Sequence, residues 1–352
     1  MPPATDAKAT VLVVVPFRDR EGHLAKFKQY WRWFARSGHK PRTVAKWVIV
    51  IAEQFDAEPF NRGWCFNVGF ALATAMQSAS PDISPDMMVK FDCAVVQDID
   101  YLPEGDVDYS DCKSPTQLSA EIDRYDWKTP YLQSGGGIVG MSPQHWRQIN
   151  GFGNNYFGWG GEDDELHHRL RLNKLLHGDC YPFCKKSDKR VGVKGISIKR
   201  PPKGHGRFSG AFMHSANHTK RITDKAAYEQ NLKMMNEIAA GGGRWKQDGL
   251  NSLAFRIVDA GVDKTDAAFG ITYLHVRAHR GKSRFELHGM QLAVPSRLCE
   301  SGGGGAWSVE TFGSEIPWNI AALRGKAAKM LAPRGRPCAM NFVLVDRRRN
   351  VA

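Results

Sequence analysis

Four acidic residues in succession, Glu162-Asp163-Asp164-Glu165, follow directly on Phe157-Gly158-Trp159-Gly160-Gly161. A carboxylate within hydrogen-bond reach of a hydroxyl can take its proton as a new bond forms. The aromatic residues of the same stretch, Phe152, Tyr156, Phe157 and Trp159, offer flat apolar faces suited to a sugar ring. Gly158, Gly160 and Gly161 let the backbone turn sharply and approach a ligand closely. Acids at a helix N-terminus are favoured by the helix dipole, which accounts for two of them. Four in a row repel one another, and a cation, a hydroxyl-rich ligand or a catalytic task would offset that repulsion. A second constellation is Asp98-Ile99-Asp100. In extended chain this spacing puts both carboxylates on one side, where their oxygens suit a hard divalent cation such as Mg²⁺ or Mn²⁺. The competing reading is an Asp-rich turn ahead of Pro103. His214 and His218 share a face if their segment is helical and are then both candidate ligands. Asn217-His218-Thr219 is a glycosylation sequon, expected to be unmodified because a glycan would crowd that site.

The elements that must position these groups follow from periodicity. Val11 to Val15 and Trp47 to Ile51 are β-branched or apolar runs, the pattern of strands buried on both faces. Glu21 to Ala35 has helical spacing, a further helix is predicted over Cys65 to Met76, and Ala94 to Gln97 is a short third strand leading into Asp98. This order predicts an α/β fold with a parallel sheet covered on both faces. Ligands bind such sheets beyond the carboxyl ends of the strands, where Arg18, Arg20, Arg62, Asp98 and Asp100 would converge. Residues 101 to 128 read as a long polar loop. Tyr131 to Gly140 reads as a strand interrupted by Gly135, Gly136 and Gly137, and such glycines suggest close approach of a ligand or another backbone. Ser142 caps a short helix to Ile149, and a helix runs from the acidic cluster with Leu166, Leu170 and Leu172 on or near one face. Asp224 to Ala240 is helical and ends at Gly241 to Gly243; Leu250 to Val258, Ile271 to Arg277 and Asn341 to Val345 read as strands. The Gly302 to Gly305 run reads as a linker. The units expected are a leader, 1–10, a catalytic domain, 11–280, and an extension, 281–352, with β-rich character as one reading.

The 352 residues carry a net charge of +13, which favours an anionic partner: a nucleotide, an acidic polysaccharide, a nucleic acid or a membrane surface. Much of it lies in Cys180 to Arg207, a basic loop that is either simply solvated or suited to phosphates or an acidic acceptor. The aromatic residues cluster with acids rather than with this basic run, which speaks against nucleic acid. No apolar run reaches the length of a membrane span, and no signal peptide is read. Seven scattered cysteines show no paired Cys-x-x-Cys motif, so a structural zinc site is not expected; Cys180 and Cys184 could bridge locally.

Taken in order, Val15-Pro16-Phe17-Arg18-Asp19-Arg20, Phe60-Asn61-Arg62, Asn67-Val68-Gly69-Phe70, Asp98-Ile99-Asp100, the run from Asn150 to Asp164, His214-Ser215 and Asp248-Gly249-Leu250-Asn251-Ser252 resemble the β-1,4-galactosyltransferase family. The resemblance covers roughly residues 11 to 258. It implies a GT-A-type nucleotide-sugar-binding fold with a mixed, mainly parallel central sheet flanked by helices. It further implies an inverting, Mn²⁺-dependent transferase, with Mg²⁺ as the alternative ion. That enzyme would move galactose from UDP-galactose to a sugar hydroxyl of a glycan or glycoconjugate, acting in the Golgi lumen if an anchor belongs with this chain; otherwise the expectation is a soluble, cytoplasmic protein. Carried over by position, Pro16, Phe17, Arg18, Arg20, Phe60, Arg62, Asp98, Ser134 and Gly136 would face the donor. Tyr131, Trp159, Gly160, Glu162, Asp163 and Asp164 would face the acceptor, with Asp163 as base. Asp100 and His214 would bind the metal, with His218 as a further candidate. Three positions depart from, or sort within, the family pattern. Ala211 stands where many members have a ligand methionine. Ser134 replaces a bulky tyrosine that rejects N-acetylated sugars, which opens the site to UDP-GalNAc. The ending at Glu165 resembles the branch that galactosylates xylose. The alternative implied by the incomplete ligand set is an inactive, lectin-like member that binds UDP or sugar.

Overall fold

In the computed structural model, the described residues are 8–36, 43–77, 90–180, 186–210, 224–281, 290–293, 305–308, 340–341 and 343–346. His214, His218, Asn217 and Cys184 lie outside them. Strands β1 (Ala9–Phe17), β2 (Val44–Gln54) and β3 (Cys93–Val96) pair in parallel, in the order β2-β1-β3. β1 extends past the predicted Val15 through Pro16 and Phe17, which pair with Ala52 and Glu53.

Val11, Val13 and Val15 face one apolar cluster, while Leu12 and Val14 face the other. A run without alternation thus fits a strand covered on both sides. Helix α1 (Glu21–Arg36) closes the first cluster with Phe27, Trp31 and Phe34. Helix α2 (Arg62–Gln77) closes the second with Trp64, Phe66 and Phe70. Gly69 permits its close approach, since a Cβ there would collide with Val14.

Residues 101 to 128 are more ordered than expected. They carry three strands of two or three residues: β4 (Leu102–Glu104), β5 (Thr116–Gln117) and β6 (Glu121–Ile122). Segments this short show no readable period. The predicted strand over 131–140 shrinks to β7 (Val139–Met141), and the glycine run ahead of it is irregular backbone that follows a turn at Leu132 and Gln133. Helix α3 (Pro143–Gln148) has the expected cap, Ser142 Oγ accepting from the His145 amide. Helix α4 (Glu162–Leu172) follows the acidic start. Strand β8 (Arg207–Ser209) joins β4 and β6 in a small separate sheet.

Helix α5 (Lys225–Ala239) is capped by Asp224. Leu250–Ser252 is a 3-10 turn rather than strand, because Asn251 and Ser252 bond back to Asn150 and Gly249. Strand β9 (Phe255–Asp263) pairs antiparallel with β10 (Ile271–Arg280), which lies parallel to β2. Of the later residues, β11 (Met290–Ala293) pairs with β14 (Val343–Asp346). Strand β12 (Gly305–Ser308) starts within the expected linker and adds to β9, and β13 (Met340–Asn341) adds to β12. The central sheet runs β13-β12-β9-β10-β2-β1-β3-β7-β5, with a parallel centre, antiparallel pairs on either side of it and β13 parallel to β12 at one edge. Cys93 and Cys112 are disulfide-bonded, Cys180 is also in a disulfide, and Cys65 is a buried free thiol. No described helix is long and apolar enough to cross a membrane.

Candidate active site

Helix α4 begins at Gly161, whose φ of 95° is a left-handed conformation that favours glycine. Gly160, at φ 100°, precedes it; a Cβ there would press on the Tyr228 ring. These two turns deliver all four acids into the first turn of α4. They then divide by environment. Glu165 faces inward and pairs with fully buried Arg169 at 2.8 Å. Asp164 accepts a 2.6 Å hydrogen bond from the Tyr131 hydroxyl. Glu162 lies 3.3 Å from Arg62. Asp163 packs on the glycine run: a Cβ on Gly136 would fall on its Oδ2, and one on Gly135 would meet its backbone carbonyl. The glycines expected to allow close approach therefore receive the acidic helix.

Arg62, first residue of α2, is the centre of the cluster. It binds both oxygens of Asp98, at 2.6 and 3.1 Å, as well as Glu162 and the Gly137 carbonyl. Asp98 and Asp100 lie in a turn after β3, not in extended chain, and Ile99 between them is buried in the core. Only Asp98 is claimed by Arg62; Asp100 sits 3.6 Å from Arg20.

Charge in this cluster is crowded. Burial, then Asp163, pushes the Glu162 carboxyl up to about 7 against the pull of Arg62. Burial also raises Asp163 and Asp98, both opposed by Arg62, and Asp164, opposed by Tyr131. Burial works against the Arg62 charge, but Asp98 and Glu162 outweigh it and raise its pKa. Four carboxyl groups, Asp98, Asp100, Glu162 and Asp163, thus meet two guanidiniums, Arg62 and Arg20. Such a site holds protons or takes up a cation. Among the described residues no group of three or more His, Cys, Asp or Glu is arranged to hold a metal ion. The charge surplus and the oxygen chemistry of Asp100 fit a hard divalent ion.

Other expected site residues are placed differently. Phe17 is only 1% exposed and packs edge-on to His275 within the core. Pro16 is built into β1. Arg18 turns away to the loop after β2, donating to the carbonyls of Gln54, Asp56 and Glu58, with its guanidinium over Phe60. Phe60 is partly buried, and its carbonyl accepts from the Gly158 amide. Ser134 is buried near Gln117, whose amide donates to the Gly136 carbonyl. Arg200 braces both, donating to Gln117 and to the Leu132 and Ser134 carbonyls. Of the four aromatics expected to meet sugar, Phe152 packs in the core against Phe66 and Trp146, and Tyr156 is buried. The core needs them to seat the stretch. Trp159 remains 45% exposed, stacked on Tyr228 of α5 at 5.6 Å.

The supporting network was not visible in the sequence reading. Asn61, Asn67 and Asn154 interlock: Asn61 donates to the Asn154 carbonyl, and Asn67 to Asn154 Oδ1 and the Phe152 carbonyl. Arg169 donates to the carbonyls of Ile149, Asn150, Gly151 and Asp248. The signal available for the three asparagines was their presence inside the two motifs, Asn61 to Phe70 and Asn150 to Asp164; Arg169 lies past both.

Comparison with known proteins finds two consecutive family segments within residues 1–215. Residues 1–113 match the profile described as the N-terminal region of glycosyl transferase group 7, and residues 116–215 match one described as the N-terminal domain of galactosyltransferase. The chain is 32% identical to β-1,4-galactosyltransferase 1 of Mus musculus over 250 residues, 71% of this chain and 51% of that one. It is 33% identical to β-1,4-galactosyltransferase 5 of Homo sapiens over 162 residues, 46% of this chain and 37% of that one. It therefore spans about half the length, or less, of these curated relatives. The crystal structure of the catalytic domain of Drosophila β-1,4-galactosyltransferase 7, in complex with xylobiose, superposes with a TM-score of 0.54 at 24% identity. That match covers 78% of this chain and 95% of the other. A mutant of the same protein, in complex with manganese, UDP-Gal and xylobiose, superposes equally. Two consecutive family matches and a shared fold lead to one assignment: the chain belongs to the β-1,4-galactosyltransferase family.

Proposed function

We propose that the chain is an inverting transferase that moves galactose from UDP-galactose to a sugar hydroxyl through a β-1,4 linkage, with a divalent cation, Mn²⁺, as cofactor. The observation that carries this reading is the seat of Asp163, against Gly136 and beside the Arg62–Glu162 pair, with its carboxyl pushed up by burial. A base of raised pKa, still able to ionise, suits proton removal from an alcohol.

In this reading Asp163 takes the acceptor hydroxyl proton while that oxygen bonds to the anomeric carbon. The bond from that carbon to the UDP oxygen breaks on the opposite face, which inverts the centre. Asp164, held by Tyr131, and Glu162, held by Arg62, orient sugar hydroxyls. Trp159 offers its exposed ring to the sugars. Arg62 fixes Asp98 at the donor side. Asp100 and His214 would hold the ion, which when bound supplies positive charge toward the departing phosphates. The relatives' names support a galactosyl donor, and the structural neighbours support manganese and a xylose-type acceptor. The ending at Glu165 and the basic segment after Cys180 also favour a proteoglycan-like, acidic acceptor in the Golgi lumen. Ser134, in place of a bulky tyrosine, is the support for UDP-GalNAc as a second donor.

The test is UDP release from UDP-Gal and, separately, UDP-GalNAc, with Mn²⁺ or chelator, on GlcNAc, glucose and xylose acceptors. Acceptor-stimulated, Mn²⁺-dependent release is expected. Asp163→Asn should lower turnover by about 10²–10⁴-fold with UDP affinity largely intact. Retained turnover in that variant removes Asp163 from the base role. UDP binding without release from either donor favours the lectin-like reading instead.

A further inference from the structure

Trp159 lies on a short segment, Asn154 to Gly161, that must place both its ring and the start of α4. On one side α5 holds this segment. Asn231 Nδ2 donates to the Phe157 carbonyl at 2.9 Å, and Tyr228 stacks on Trp159. On the other side stands Arg280, the last residue of β10, which lies beyond both matched family segments. Its guanidinium covers the Phe157 ring at 4.4 Å and donates from Nη2 to the Asn154 carbonyl at 3.0 Å. Its backbone is fixed in turn: the Arg280 amide donates to Asp56 Oδ2 at 2.9 Å. Asp56 also receives Arg18. The Phe60 carbonyl, in the same loop after β2, accepts from Gly158. Arg280 Nη1 is buried without a partner of its own, so packing on Phe157 rather than full hydrogen bonding sets the guanidinium in place.

We propose that Arg280 is a positioning residue for the Trp159 segment. Resting on the transferase reading, its role is to set the segment's foot so that Trp159, Gly160 and Gly161 present the α4 acids to the substrates. It touches neither Asp163 nor the other acids of α4, and acts through Phe157 and Asn154. A flat guanidinium can stack and donate at once, whereas an ammonium is a point donor.

The test is hydrogen exchange by mass spectrometry on the full chain, wild type against Arg280→Gln and Arg280→Lys, with transfer kinetics alongside. In Arg280→Gln, amides of residues 154–161 should exchange about tenfold faster, the scale of one half-buried cation–π contact with its hydrogen bond. Those of residues 11–15 and 47–51 should stay at wild-type rates. Arg280→Lys should recover part of the protection. With donor and acceptor, Arg280→Gln should lower kcat several-fold while the UDP Kd holds. Unchanged exchange at 154–161, or equal acceleration in the strands, overturns the proposal. Exchange needs no turnover, so a wild-type protein without transfer activity would defeat the transferase reading and leave the positional result readable.

Discussion

Gly136 leaves room for one oxygen atom. A methyl group there would occupy the place of Asp163 Oδ2, so Gly136→Ala must displace the carboxyl or the turn that faces it. A displacement of about 1 Å at a reacting group costs about 10²-fold in rate. The expected result is a kcat lowered by that order with UDP affinity near wild type, measured by steady-state UDP release and calorimetry. An Ala variant with full kcat would place the reacting carboxylate elsewhere. Arg62 makes a different claim. Replacing it by Met leaves Asp98 and Glu162 without their shared cation, at side chains only 22% and 12% exposed. Breaking a buried pair in this way costs about 3 kcal/mol, at the low end because some solvent reaches it. Denaturant unfolding of Arg62→Met should show that loss, and a stability equal to wild type would mean water already screens the pair. Sequence reading could place Asp98 and Arg62 near one another, since both follow strand ends. It could not see that they bind each other, because two residues 36 positions apart carry no mark of the pairing.

Helix α4 is the element where fold and chemistry meet, and it carries a pH dependence. Its Glu162 is raised to about 7 from an ordinary 4.5, and Asp163 and Asp164 are raised by burial as well. The folded state therefore holds protons that the unfolded chain releases between about pH 4.5 and 7. Stability falls wherever the folded state binds more protons than the unfolded one. Without nucleotide or divalent ion, the thermal midpoint should fall as pH rises through that window, and a cation bound at the site should flatten the fall. Scanning calorimetry at pH 5, 6 and 7, with and without Mn²⁺, checks this; a midpoint rising over the window would show that Arg62 and Arg20 outweigh the crowding. The helix itself was legible from its glycine-acid start and its leucines. So were β1 and β2, whose β-branched runs admit few other readings. The glycine run before β7 misled, since glycines inside a strand and glycines in irregular backbone look alike without the helix that packs on them. Residues 101–128 were opaque because strands of two or three residues have no period to read. Phe152 and Tyr156 looked like sugar-facing aromatics because composition does not say which face of a turn is inside.

At the scale of the whole molecule, the site lies where four segments meet: the end of β3, the start of α2, the glycine run before β7 and the start of α4. What fixes their relation is the central sheet, and its outer edge is decided late in the chain. Strand β9 has β10 on one side; on the other, Val262 to Asp259 pair antiparallel with Gly305 to Ser308. Ile257 and Ala260 of β9 are buried in the same cluster that packs α2 and α4. A chain ending after Gly281 would uncover Asp259 to Val262 and leave that whole side of β9 an open edge. A long edge strand presents open amide and carbonyl groups to any other chain. Arg256 and Asp259 charge that edge and would discourage, but not satisfy, such pairing. The truncated chain is therefore expected to keep the parallel centre and its UDP affinity, and to self-associate with rising concentration where the full chain does not. Light scattering after gel filtration over a range of concentrations measures this directly. A truncated chain that stays monomeric, with the thermal midpoint of the full chain, would show that the β9 edge is protected without β12, and that the later residues serve something other than closing the sheet.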